Sequence, residues 1–287
     1  MIKTKYKSVE NFKVGDNIKG FFFCKKIELK LTRLGDEYLD VLLEDKSGVI
    51  RAKVWSFASD YVKRIDEGKP VAVKGNIISY NEKLEINISS INCMDNDIYK
   101  DYGFKESLLV KCIEEDKVKL FKGLIRYIDG LDGDYKKLVS KIIKDNKHKI
   151  MSLPSIDYSY GLNGGLLKQI VSVLDLNKRV YSKYKELNKN IVISGIIIKN
   201  IGSVKYFNDD LQFSVSDENQ YLGHKLIGIN IINDYAAEYA SFSKQIKNEL
   251  QNLILSENSK NDLNLNYINA LYHLDLSIYE SMNQEKL

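Results

Sequence analysis

The chain has 287 residues, 44% hydrophobic and 29% charged, with 17 glycines and only 2 prolines. That length holds two modest domains with separate cores, and the composition excludes a collagen-like, linker-dominated or disordered chain. A net charge of +4 and a pI near 8.6 permit a polyanionic partner without requiring one, because a nucleic-acid module concentrates its charge on one face. Cys24, Cys93 and Cys112 are odd in number and far apart. Neither a disulfide framework nor a zinc site is expected from them, and reduced thiols fit a cytoplasmic location. The first residues lack an apolar targeting segment, and no apolar run approaches the ~20 residues of a membrane span, so no membrane association is expected.

Residues 14–91 alternate apolar and polar with a period of two, which predicts half-buried strands at 17–29, 37–44, 49–55, 70–79 and 83–91. Between the third and fourth, residues 57–65 form a short amphipathic helix, closed by Gly68 and followed by Pro70 at the next strand. Turn signals at 34–36, 45–48 and 80–82 separate the remaining runs. Three strands, a helix and two strands is the order of an OB-fold, a small Greek-key barrel. Beyond residue 105 the apolar spacing changes to three and four. It predicts helices at 105–114, 116–129, 134–151, 164–187, 190–198, 219–239, 243–255 and 265–281. The expected organisation is a barrel over 1–95, an acidic linker over 96–104 and an all-α domain over 105–287.

Alternation also assigns faces. Leu39, Val41, Leu43, Ile50, Ala52 and Val54 point into the barrel, leaving Tyr38, Asp40, Arg51, Lys53 and Trp55 outside. Strands two and three, with the loops joining strands one to two and four to five, form the usual ligand surface of this barrel. Those loops bring Lys30 and Arg33, and Tyr80 and Lys83, to the same surface. An aromatic among cations suits a single strand: bases stack on the ring at ~1–3 kcal/mol each, while Lys and Arg neutralise phosphates. The competing reading packs Trp55 under the barrel helix and leaves the cations as a solvated face. Phe21, Phe22 and Phe23 are expected mainly in the barrel core.

Gly20-Phe21-Phe22-Phe23, the run from Tyr38 to Gly48 and Ala52-Lys53-Val54-Trp55 resemble the N-terminal OB domain of the YhaM family of 3′→5′ exoribonucleases. The resemblance continues in collinear order through Gly161-Leu162-Asn163-Gly164-Gly165, Ser194-Gly195-Ile196-Ile197, Tyr221-Leu222-Gly223-His224 and Leu271-Tyr272-His273-Leu274-Asp275. It implies that an HD-type helical domain follows the barrel. Such a domain holds one or two divalent metals on His and Asp side chains and uses them to activate water against a phosphodiester.

This chain departs from that pattern at most ligand positions. Asp157-Tyr158 stands where the first His pair is expected, and Lys199-Asn200 replaces the His-Asp signature. Ser256-Glu257 falls at the later Ser-His, so that only His224 and Asp275 stand at expected ligand positions. The expectation is a protein that binds single-stranded RNA or DNA but does not cleave it. It has no catalytic residue and no cofactor, and its degenerate HD-like domain serves self-association or a protein partner. One alternative is an active 3′→5′ exoribonuclease with Mn or Mg held by His224, Asp275 and Asp157. Another is an assembly protein in which both domains contact only protein. The seven basic residues of 136–149, counting His148, are the solvated face of a helix or an extension of the nucleic-acid path. Gly161-Leu162-Asn163-Gly164-Gly165 lacks the preceding strand and following Lys of a phosphate loop, so these glycines are expected to let a helix start close to its neighbour.

Overall fold

The alternation of the first ninety residues becomes a closed barrel in the computed structural model, which describes residues 6–94, 98–208, 213–217, 219–257 and 259–284. Its strands are β1 (Asn17–Leu31), β2 (Glu37–Asp45), β3 (Gly48–Val54), β4 (Pro70–Tyr80) and β5 (Lys83–Cys93), in the spatial order β1-β2-β3-β5-β4. The β3–β5 pair is parallel and the other pairs are antiparallel. Helix α1 (Ala58–Val62) lies between β3 and β4 in sequence. The expected OB-fold is therefore present.

One long strand makes closure possible. The first part of β1 pairs with β4 and the rest with β2, and a bulge between Cys24 and Lys26 bends the strand between the two partners. A second bulge falls at Lys74/Gly75, where a Cβ on Gly75 would stand 2.4 Å from the Asn87 carbonyl oxygen. The inward residues are those that alternation selects: Leu39, Val41, Leu43, Ala52, Val71 and Ile86 are each 0% exposed.

Three barrel details differ from expectation. Phe22 lies in the barrel core, but Phe21 and Phe23 belong to a separate cluster with Leu109, flanked by Tyr6, Met94, Tyr99 and Phe104. The reason is the pleat, since neighbours of an inward residue on a strand must point outward, and here a second apolar cluster covers them. The β4–β5 connection is a two-residue turn, Asn81 and Glu82, both with positive φ (48° and 63°), the geometry that matches hairpin twist. Tyr80 and Lys83 are consequently cross-strand partners and not loop residues. Lys30 likewise lies inside β1, opposite Tyr38.

After β3 the chain turns through Phe57, whose φ of 57° and ψ of 33° are left-handed. For a residue with a Cβ this costs ~1–2 kcal/mol. The Phe57 carbonyl accepts the amides of Asp60 and Tyr61 at 3.1 Å each, which starts α1. Beyond β5, α2 (Ile98–Asp101) and a 3-10 turn at Glu106–Leu108 precede the division between two compact units, which falls at Lys111/Cys112. The helix expected over 105–114 is only that turn.

The second unit is helical: α3 (Lys117–Asp129), α4 (Gly133–Asp145), α5 (Lys147–Ser152), α6 (Gly165–Val180), α7 (Lys189–Ile198), α8 (Ser203–Tyr206), α9 (Gly223–Ala237), α10 (Lys244–Leu255) and α11 (Leu263–Gln284). Side-chain oxygens of Asp116, Asn188 and Ser243 accept first-turn amides and start α3, α7 and α10. The single helix expected over 134–151 is two, broken at Asn146, whose side-chain amide donates to the Ile142 carbonyl at 2.9 Å. Helix α7 is buried on every side from Val192 to Ile198, as an apolar helix at the centre of a core must be. Gly195 permits that position, because a Cβ there would meet Ile268 at 2.6 Å and Leu253 at 2.8 Å. The glycines before α6 act as expected: a Cβ on Gly165 would lie 1.8 Å from the Tyr160 carbonyl oxygen.

Candidate nucleic-acid interface and the polar cluster of the helical unit

On the barrel, register decides which outward side chains meet. Asp40 on β2 lies opposite Lys53 on β3 and opposite Glu28 on β1, while Arg51 lies opposite Leu42 and, across the parallel pair, Glu85. Trp55 follows the last residue of β3 and stacks on Tyr38, with ring centroids 5.0 Å apart and planes 25° from parallel. Trp55 remains 49% exposed and Tyr80 54%. The Trp55 ring is therefore stacked at the barrel surface and not packed under α1. Lys53 Nζ lies 4.3 Å from the Tyr80 ring centroid and 5.9 Å from that of Trp55. Two aromatic rings thus flank one cation, and a third, Tyr38, stacks on the Trp55 ring.

That cation is not alone. Glu85 is buried, and its carboxylate lies 2.8 Å from Lys53 Nζ. Lys30 sits between two carboxylates, 2.5 Å from Asp40 and 2.8 Å from Glu28, and Asp40 also approaches Arg51 at 4.0 Å. The hydrogen bonds to Asp40 and then Glu28 raise the Lys30 pKa, so its ammonium persists at all ordinary pH. Lys26, and then Lys30, hold Glu28 at about 2. The cations alone do not reveal this effect of their counter-charges. Alternation places Glu28, Asp40 and Glu85 outward as readily as the lysines, which was the available signal. Arg33 and Lys83 are exposed and make no ion pair among the described residues.

In the helical unit, part of the expected ligand constellation converges. Lys199 is electrostatically coupled to Lys225, Asp157 and Glu257, and His224 to Lys225, Asp157 and Lys199. Most of these polar groups are already hydrogen-bonded or ion-paired. Lys199 Nζ donates to Asn269 Oδ1 at 2.6 Å, and Glu257 accepts from Lys225 at 2.8 Å. Asp157 accepts from the amides of Gln169 at 2.5 Å and Asn200 at 3.2 Å; Asn200 also donates to Gln169 at 3.0 Å. Tyr158 is 98% exposed and takes no part. Asp275 is held by the Tyr160 hydroxyl at 2.7 Å and by Ser172.

The electrostatics follow burial. Desolvation lowers the pKa of Lys199 and of His224, with Lys225 acting in the same direction, and desolvation raises that of Asp275. A metal held as the sequence resemblance implies would need His and carboxylate ligands, and these residues do not suit one. Lys199 presents an ammonium and Asn200 an amide, while the nearby carboxylates accept from amide, ammonium and hydroxyl donors. Among the described residues no three His, Cys, Asp or Glu side chains gather to hold an ion. Gln169, Lys225 and Asn269, which complete the cluster, carried no motif signal, because their roles arise only where α6, α9 and α11 meet α7.

Part of the basic run of 136–149 is engaged within its own unit. Lys136 donates to the Asp129 carbonyl at 2.8 Å, Lys137 pairs with Asp134 at 3.1 Å, Lys141 pairs with Asp145 and Glu238 at 3.1 and 3.3 Å, and Lys147 Nζ lies 5.3 Å from the Phe121 ring centroid. Lys144 and His148 are exposed.

Several solved structures are similar to part of the chain. The second OB-fold domain of replication protein A from Methanococcus maripaludis is 16% identical over 32% of this chain and 96% of that one, with a TM-score of 0.27. A chain of a replication protein A heterotrimer bound to ssDNA is 19% identical over 33% of this chain and 69% of its own, with a TM-score of 0.26. The asparaginyl-tRNA synthetase of Entamoeba histolytica is 13% identical over 50% of this chain and 35% of its own, also with a TM-score of 0.26. Residues 25–94 match the family model described as an OB-fold nucleic acid binding domain, and the N-terminal barrel has the OB-fold.

Proposed function

We propose that the barrel binds single-stranded nucleic acid, RNA being the expected class, across β2 and β3. We further propose that the helical unit is a degenerate relative of the HD phosphohydrolases that needs no metal and cleaves nothing. The observation that carries the binding reading is the half-exposed Trp55 stacked on Tyr38 beside Lys53. A planar aromatic step open to solvent accepts a base on its free face; Arg33, Lys83 and Arg51, which is 63% exposed and 4.0 Å from its Asp40 partner, would neutralise the phosphates that follow. Lys30 and Lys53 are bound to carboxylates, so their role is to fix the surface and orient its rings.

The non-hydrolysing reading rests on the side chains at the cluster. A lysine ammonium supplies positive charge but is no Lewis acid and generates no metal-bound hydroxide. The helical unit then serves as a scaffold for self-association or a protein partner. The cytoplasm is the compartment we propose, because three widely spaced cysteines, odd in number, offer no disulfide framework in the sequence.

Two measurements test the proposal together. Anisotropy of a labelled single-stranded oligonucleotide, titrated with salt, reports binding, and a 5′-labelled oligonucleotide incubated with manganese reports cleavage. The expected result is salt-sensitive binding with the labelled oligonucleotide remaining at full length. Shortening of the oligonucleotide that disappears in His224→Ala and Asp275→Ala would refute the non-hydrolysing reading. Absence of salt-sensitive binding would refute the other.

A further inference from the structure

Two residues beyond Trp55, Phe57 combines properties that folding does not select. Its ring is 76% exposed, so it removes little apolar area from water. Its backbone is left-handed, a conformation that Gly, Asn or Asp adopts with less strain. The backbone is nevertheless fixed on both sides. Val54 before it is 2% exposed, Ala58 after it is 4% exposed, and the Phe57 carbonyl accepts two α1 amides. Ser59 also hydrogen-bonds to Glu37, the residue before Tyr38. The turn is thereby tied to the edge of the Tyr38–Trp55 stack, and two residues of chain keep Phe57 within ~7 Å of Trp55. The result is a large ring held in solvent, on a rigid turn, next to an aromatic step.

Resting on the single-strand reading of the barrel face, we infer that Phe57 is a further base-stacking residue that carries the bound strand past Trp55 toward α1. Its ligand is the face of an unpaired nucleobase, which every base presents, so the contact is tolerant of sequence. Glu37 and Asp60 are exposed at this end, as are Lys63 and Arg64 just past α1, and Phe57 itself carries no charge. Phe57 therefore contributes to affinity and not to the salt dependence of binding.

The test compares Phe57→Asn, Phe57→Tyr and Trp55→Ala with the wild-type chain, using anisotropy of a fluorescein-labelled oligonucleotide at several salt concentrations and thermal melting. Phe57→Asn is expected to melt at the same or a higher temperature and to bind about 5- to 140-fold more weakly, the equivalent of one stacked base. Its salt slope should be unchanged. Phe57→Tyr keeps the ring and is expected to bind within about 3-fold of wild type. Wild-type affinity in Phe57→Asn together with weakened Trp55→Ala would overturn the inference and leave the single-strand reading standing. Wild-type affinity in both would overturn that reading as well. A lower melting temperature for Phe57→Asn would show that the ring is kept for folding, and would also overturn the inference.

Discussion

Trp55→Ala probes the barrel surface most directly, because Trp55 is the chain's only tryptophan and reports on its own environment. The substitution removes a ring that is 49% exposed and stacked on Tyr38 at 5.0 Å. An aromatic pair contributes ~0.5–1.5 kcal/mol beyond area burial, and the covered half of Trp55 adds ~25 cal/mol per Å², so melting of the barrel is measured alongside binding. Losing one stacked base costs ~1–3 kcal/mol of binding, or about 5- to 140-fold in Kd. In the wild type, a base seated on the indole should quench its emission as oligonucleotide is added, and the midpoint should agree with anisotropy. Salt adds a second number. If Arg33, Arg51 and Lys83 carry the phosphates, log K falls with log salt at a slope of about −2. If Lys30 and Lys53 also release counterions, it approaches about −3.5. Trp55→Ala should shift the affinity and keep the slope. Tight, salt-sensitive binding with no quenching, and an unchanged Kd in Trp55→Ala, would refute the placement of the strand on this face.

Three other outcomes follow from the same geometry. Glu85→Gln removes the buried counter-charge of Lys53 while keeping its shape; oligonucleotide binding should tighten and its salt slope steepen by about 0.7, one added phosphate contact, and an unchanged slope would show that Lys53 faces no phosphate. His224 has its pKa lowered from 6.5, chiefly by burial. Its neutral form is therefore the folded form, and the stability it supports is complete above pH 6.5 and lost as pH falls through its lowered folded value. Melting of the helical unit followed from pH 7.5 to 5 should show a decline that His224→Asn flattens, and an equal decline in both proteins would rule out this histidine as its source. Asp275, raised from 3.8 by burial, acts in the opposite sense. Its contribution is complete below pH 3.8 and is lost as pH rises through its raised value. Gly202→Ala should destabilise the helical unit, because the new Cβ would stand 1.8 Å from the His224 carbonyl oxygen. Overpacking costs ~1–3 kcal/mol or more, about 2–4 °C per kcal/mol at this size, and an unshifted melting curve would contradict the close approach of α8 and α9.

Much of the barrel was legible in the sequence. Period two fixed which residues of β2 and β3 face inward, and Pro70 marked the start of β4, while α1 ends at Val62 with Lys63 as its cap and not at the Gly68 expected to close it. The Phe21-Phe22-Phe23 run was not legible: apolar character alone does not say that the pleat sends Phe21 and Phe23 outward, to be covered by residues near Leu109. The break at Asn146 was also hidden, because it depends on one side-chain amide bonding to the Ile142 carbonyl in place of continuing the helix. Lys199 and Asn200 were visible as departures from a pattern. Their partners were not, because Gln169 and Asn269 come from other helices and carry no spacing signal.

The sequence by itself determined a five-stranded barrel followed by helices, and the set of aromatic and basic residues on the barrel's outer face. These are local properties, since alternation and helical periodicity are set by the backbone repeat of each segment. Only the tertiary structure decided how those residues act on one another. Strand register put Glu85 and Asp40 against Lys53, Lys30 and Arg51, turning a basic stripe into paired charges with Arg33 and Lys83 outside the pairs. The fold after β3 set Trp55 on Tyr38 and held Phe57 in solvent. Pairing between segments far apart in the chain depends on register and close packing, and no single segment's composition records either.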